Sequence, residues 1–131
     1  MKHDSFYMMV AMSARDQSHD PETPVGCVIV REGIVAEGWS GTPSGFDNET
    51  RDADGVTKPE VIHAETNAIA KCARKGVATD GATLYTTLSP CYSCAKLLLQ
   101  SGIAEVVYLN EYFKQDGLRL LRQGNVKVRQ L

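Results

Sequence analysis

Residues 82–109 read ATLYTTLSPCYSCAKLLLQSGIAEVVYL. Ala82–Leu88 is a short run rich in Thr, Leu and Tyr, which suits a buried strand. Pro90 sets the backbone for the first turn of a helix, and Gly102 can end it. Glu105-Val106-Val107-Tyr108-Leu109 is a second apolar run of strand length. Two strands joined by a helix lie parallel in one sheet, because a helical crossover returns the chain to the same edge. Upstream, Val25-Gly26-Cys27-Val28-Ile29-Val30 and Ile34-Val35-Ala36-Glu37-Gly38-Trp39 flank the tight turn Arg31-Glu32-Gly33 and read as a hairpin. Helices are expected over 4–18 and from about His63 to Lys75, where Lys71, Arg74 and Lys75 suit the C-terminal dipole and Gly76 ends the run. Asp4 or Ser5 can cap the first, and its apolar residues on most faces predict a well-buried helix. Asp20-Pro21-Glu22-Thr23-Pro24 breaks it. Residues 116–123 form a fourth helix ending at Gly124, and Val126 and Val128 alternate with polar neighbours in a fifth strand. The order α-β-β-α-β-α-β-α-β predicts a three-layer α/β fold, a mixed five-stranded sheet with helices on both faces.

The 131 residues suit one domain spanning 1–131, with no repeat or linker. Hydrophobic residues at 43% and charged residues at 23% are ordinary for a folded protein. No run approaches the roughly 20 apolar residues of a membrane span. Met1-Lys2-His3-Asp4-Ser5 does not open a secretory signal, so a cytoplasmic protein is expected. A net charge of −2 argues against a nucleic-acid partner, which needs a basic face, but not against a small phosphorylated substrate. The segment 41–61 has Gly, Pro, Asp and Asn without periodicity. A connection this long in a compact domain is usually functional.

Chemistry concentrates at two predicted helix starts, His63-Ala64-Glu65 and Pro90-Cys91-Tyr92-Ser93-Cys94. Cysteines at i and i+3 of a first turn point the same way, and free N–H groups there stabilise thiolates. A histidine from a second helix start completes three ligands, and three ligands with an open position mark catalytic rather than structural zinc. Glu65 stands two residues from the ligating histidine, well placed to move a proton from a metal-activated water. Either motif alone is weak, because Cys-x-x-Cys also serves redox chemistry and His-x-Glu arises by chance. Together they match the signature of zinc nucleobase deaminases. Cys27 and Cys72 fall on apolar faces and read as core-filling residues, with no disulfide inferred. His3 and His19 lie outside the cluster.

From about Phe6 to Val128 the chain resembles the deoxycytidylate deaminases of the cytidine deaminase superfamily. The resemblance rests on residues 18–30, the glycine-proline loop 38–46, and the zinc motifs at 62–69 and 84–96. It implies the cytidine-deaminase-like fold, one zinc held by His63, Cys91 and Cys94, and Glu65 carrying protons from water to N3 and then to the departing amine as dCMP becomes dUMP and ammonia. It implies base contacts from the backbone at Ala64 and Ser89, with Val25 against the base face. It also implies a sugar contact at Ser40 and Gly41, and Tyr112 near the nucleotide. Supply of dUMP for thymidylate synthesis, activation by dCTP with Mg²⁺, inhibition by dTTP, and a homo-hexamer follow from the same resemblance.

The family usually has Asn where this chain has Ser40, which offers one short hydroxyl instead of an amide. Some members bind a second zinc through Cys in the loop after Gly-Phe-Asp; Phe46-Asp47-Asn48-Glu49-Thr50 has none, so one zinc per chain is expected. Arg15, Arg51, Lys58, Lys96 and the N–H groups of residues 41–45 are the candidates for phosphate binding. Two other readings stay open. One is a deaminase of another base, such as tRNA adenosine or guanine. The other is a zinc-stabilised binding module without catalysis.

Overall fold

The computed structural model describes residues 3–131; Met1 and Lys2 lie outside the described residues. The elements are α1 (Asp4–Arg15), β1 (Gly26–Val30), β2 (Ile34–Trp39), α2 (Ala64–Lys75), β3 (Thr83–Leu88), α3 (Tyr92–Gln100), β4 (Glu105–Asn110), α4 (Asp116–Gln123) and β5 (Lys127–Gln130). The strands form one sheet in the order β2-β1-β3-β4-β5. β1 is antiparallel to β2 and β3, whereas β4 is parallel to both β3 and β5. This is the mixed sheet expected from a hairpin followed by helical crossovers. Gly76 and Gly102 follow α2 and α3 with φ of 70° and 77°, as their placement after the last apolar turn requires.

Side chains alternate across the sheet and sort the helices into layers. Cys27, Ile29, Leu84 and Val106 join Ala68 and Cys72 of α2, Leu98 of α3, and Leu118 and Leu121 of α4 in the larger core. On the other face Val28, Tyr85 and Val107 pack against Met8 and Ala11 of α1. Burying a side chain such as Leu98 contributes about 1.5–3 kcal/mol.

Two expectations for α1 are corrected. Asp4 is not the N-cap: His3 is, without a side-chain hydrogen bond. Asp4 instead turns inward, where Tyr85 and Arg129 hold its carboxylate. The helix is also not buried all round. It buries Asp4, Met8, Ala11 and Ala14, while Phe6 and Met9 are 58% and 64% exposed. α1 is the only helix on its face of the sheet among the described residues, so its outer stripe has no covering layer.

Register places the ends of four strands at one edge. Gly26 pairs with Trp39 and Cys27 with Thr86, so the residues before β1 lie beside those after β2 and β3. Leu88 pairs with Asn110, which brings the segment after β4 to the same edge. The starts of α2 and α3 open there as well.

Candidate active site

His63 and Cys91 are the N-caps of α2 and α3, with extended φ/ψ of −69°/155° and −72°/171°. Neither side chain caps its own helix. Both therefore turn towards each other, and Cys94 joins them from the first turn of α3. His63 Nδ1 lies 3.3 Å from Cys94 Sγ and 3.5 Å from Cys91 Sγ. The three donor atoms all fall within 4.8 Å of one another. With Zn–N of about 2.0–2.1 Å and Zn–S of about 2.3 Å, the nitrogen and sulfurs around a tetrahedral zinc stand about 3.5–3.8 Å apart, so the set fits one zinc ion after small adjustments. Thr66 Oγ1, 3.7 Å from Cys94 Sγ, adds a hydroxyl against the buried sulfur.

The electrostatics suit the same purpose. Hydrogen bonds from Cys94 and His63 lower the Cys91 thiol to about 3, against the opposing effect of burial. Cys94 is pushed up by its bond to Cys91 and by burial, and the Cys91 sulfur raises His63. Glu65 is 4% exposed, and burial pushes its carboxyl above the usual range. A buried acid held above the ordinary carboxylate range is suited to taking up and returning a proton.

A cavity of about 550 Å³ opens in front of this cluster. It is lined by Val25, Ser40, His63, Ala64, Glu65, Ser89, Cys91 and Tyr112 of the residues named from sequence, with Cys94 behind the wall. Gly41 instead faces a smaller recess beside Ser40 and exchanges backbone hydrogen bonds with Ile62. Ser40 is buried, and its hydroxyl accepts from the Val25 N–H at 3.1 Å and meets the Ser18 hydroxyl at 3.0 Å. It thus ties the segment before β1 to the end of β2. Ser89 Oγ accepts from the Tyr112 N–H at 2.7 Å, fixing the loop after β3 to the loop after β4.

None of the four basic side chains considered for phosphate lines the cavity. Arg51 is engaged by Asp20 at 3.0 Å and Glu22 at 2.9 Å, and Lys58 lies 3.7 Å from Asp47. Lys96 stands over the Tyr92 ring. Burial pushes the Asp20 carboxyl up, but hydrogen bonds from Arg51 and from the Glu22 and Thr23 N–H groups outweigh it and hold it below the usual range. Sequence reasoning did not single out Asp20, Thr23, Thr57, Val61, Leu88, Glu111 or Phe113 as cavity residues. The breaks around Asp20 and after β4 were the available signal, since chain reversals at one sheet edge gather there.

Two thiols and an imidazole around one metal position, open to a cavity beside a buried non-ligating carboxylate, define the zinc-dependent nucleobase deaminase class. The model of the cytidine and deoxycytidylate deaminase zinc-binding region matches residues 1–110. The deoxycytidylate deaminase of mycobacteriophage D29 is 32% identical over 82% of this chain and 94% of its own length. That of Saccharomyces cerevisiae is 34% identical over 97% of this chain, which spans only 44% of the yeast protein. A crystal structure of the cyanophage S-TIM5 dCMP deaminase, in complex with dCMP and dUMP, superimposes with a TM-score of 0.96 at 40% identity, covering 99% of this chain and 97% of the phage chain. The chain belongs to the deoxycytidylate deaminase family of the cytidine deaminase superfamily.

Proposed function

We propose that this chain catalyses the hydrolytic deamination of dCMP to dUMP and ammonia, using one zinc ion held by His63, Cys91 and Cys94. The observation that carries this reading is the cavity onto which His63 and Cys91 of that donor set and buried Glu65 open together. Zinc, when bound, lowers the pKa of a water in its open position from about 15.7 towards 7. Glu65 takes a proton from the attacking water and gives it to N3 of the pyrimidine. The water oxygen bonds to C4, and Glu65 then passes the second proton to the amino group, which leaves as ammonia. The Ala64 N–H, unpaired in the first turn of α2, suits the base carbonyl. The Ser89 N–H is bound to Asn110 O at 2.9 Å, which leaves the Ser89 carbonyl to accept from the amino group. Val25 packs against the base face, and Ser40 and Tyr112 flank the sugar.

The phosphate lies towards the Thr23 and Thr57 side of the cavity, where Arg51 neutralises Asp20 and donates to the Thr23 hydroxyl at 3.0 Å. Gly41 acts from the adjoining recess. The finer proposals are dUMP supply for thymidylate synthesis in the cytoplasm, a homo-hexamer, and regulation by dCTP with Mg²⁺ against dTTP. Support for regulation comes from the 41–61 loop. Thr57 and Val61 line the cavity, and Arg51 clamps the loop to Asp20, so a ligand that ordered this loop would reshape the cavity wall. No helix among the described residues is long and apolar enough to cross a membrane.

The test is ammonia release from dCMP, deoxycytidine, CMP, guanine and adenosine, repeated for dCMP with dCTP and with dTTP. The highest kcat/KM for dCMP is expected. Equal values for dCMP and deoxycytidine would overturn the nucleotide assignment. Identical hyperbolic curves with either triphosphate would overturn the regulation.

A further inference from the structure

Two glycines far apart in sequence lie against the backbone of the two helix starts that carry the metal-ligand set. Gly117, in the first turn of α4, lies against the Pro90–Cys91 peptide. A Cβ there would overlap the Pro90 carbonyl oxygen and stand 2.9 Å from the Cys91 carbonyl carbon and oxygen. Gly38, near the end of β2, lies against the first turn of α2. A Cβ there would overlap the Ala64 carbonyl oxygen and stand 2.8 Å from the Ala68 N. Neither glycine has the positive φ that would itself demand glycine. What excludes a side chain at each is the closeness of another backbone, and the atoms in the way cannot swing aside as a side-chain tip can.

The two contacts have complementary positions. Cys91 is the N-cap of α3 and His63 the N-cap of α2, so neither ligand has a preceding helical turn to brace it. α4 forms a floor under the first, and β2 a floor under the second. Gly117 and Ala64 are buried, and Leu118 and Leu121 anchor α4 in the larger core. The spacing between His63 Nδ1 and the two sulfurs therefore depends on how deeply each helix start sits on its floor. We propose that Gly38 and Gly117 are positioning residues for the metal site, setting the separation between its histidine and cysteine halves. A methyl group at either position would lift one half away from the other.

Gly26 provides the control. A Cβ there would overlap the Ala11 carbonyl oxygen and the Arg15 N, an equally severe backbone clash, but against α1 on the opposite face. Gly26→Ala tests loss of close packing without displacement of a ligand-bearing helix start.

The inference rests on His63, Cys91 and Cys94 holding zinc. The experiment measures zinc affinity by chelator competition, the absorption spectrum after Co²⁺ replacement, and the melting temperature of the metal-free chain, for wild type and the three variants. All three variants should melt lower. Gly38→Ala and Gly117→Ala should bind zinc about 10–100-fold more weakly, the range for loss of groups that orient metal ligands. They should also shift the Co²⁺ ligand-field bands. Gly26→Ala should keep the wild-type affinity within about twofold and the wild-type spectrum. A variant that does not fold in buffer is measured in trimethylamine N-oxide, which favours the compact state. Wild-type affinity and spectrum in Gly38→Ala and Gly117→Ala would overturn the proposal. So would an equal loss of affinity in Gly26→Ala, or failure of both site variants to fold in the osmolyte while Gly26→Ala folds. Absence of zinc from the wild type would instead overturn the reading on which the proposal rests.

Discussion

Two polar clusters, each built around a buried carboxylate, lie on opposite faces of the sheet, and they treat charge in opposite ways. On the α1 face Arg129 donates to Glu105 at 2.6 Å and to both Asp4 oxygens at 2.9 and 3.2 Å, while the Tyr85 hydroxyl donates to Asp4 at 2.6 Å. The hydrogen bonds from Arg129 hold the Asp4 carboxyl well below the usual carboxylate range, outweighing its burial. That cluster is closed, and it joins α1, β3, β4 and β5. On the other face Glu65 is as deeply buried as Asp4 but has no guanidinium beside it, and burial pushes its carboxyl up. Cys91 and His63 open onto a cavity. A closed network holds elements together; an open one keeps donors and a carboxylate available for chemistry. Buried charge alone does not distinguish the two, whereas its pairing does.

Breaking each cluster should have a different consequence. Cys91→Ala removes a donor from the open cluster, and both zinc content and dCMP turnover should fall to background, as measured by metal analysis and ammonia release. Zinc at the wild-type level in that variant would remove Cys91 from the ligand set. Arg129→Met removes the guanidinium that bridges Asp4 and Glu105, leaving Glu105 with only the exposed Lys127 ammonium at 3.7 Å and Asp4 without its guanidinium. The usual cost is 3–5 kcal/mol. Because the Arg129 side chain is 25% exposed, a loss near about 3 kcal/mol is expected in urea denaturation, with zinc affinity unchanged. A loss under about 1 kcal/mol would make the network no stronger than a surface ion pair.

The closed cluster should also sharpen the comparison through pH. Asp4 has a folded pKa below its unfolded value of about 3.9. Its contribution is therefore fully present above that value and is lost as pH falls below about 4. The urea midpoint should drop from about pH 5 to pH 3, and Asp4→Asn should flatten that dependence while lowering the midpoint at neutral pH. An unchanged slope in the variant would assign the acid sensitivity to other carboxylates.

The order of strands and helices was legible because apolar runs such as Val25–Val30 and Glu105–Leu109 stand between glycines, prolines and polar stretches. The three-donor site was legible because its residues fall at the starts of two helices, His63 and Cys91 as N-caps and Cys94 in the first turn. Periodicity does not say which face of a helix another layer covers, so Phe6 and Met9 looked buried. Asp4 resembled a cap because its partner Arg129 is 125 residues away. Asp20 and Thr57 reach the cavity only through chain reversals at one sheet edge. Gly38 and Gly117 carry no local signal, since their contacts come from elements distant in the chain.

The most direct test of the open cluster is to measure zinc content and dCMP turnover together in wild type and Glu65→Gln. The amide keeps the shape of the side chain but cannot exchange the proton. Both proteins should hold about one zinc per chain and melt alike, with turnover in Glu65→Gln reduced about 10²–10⁴-fold. A zinc-loaded Glu65→Gln that retains more than about a tenth of the wild-type rate would show that proton transfer does not depend on this carboxylate.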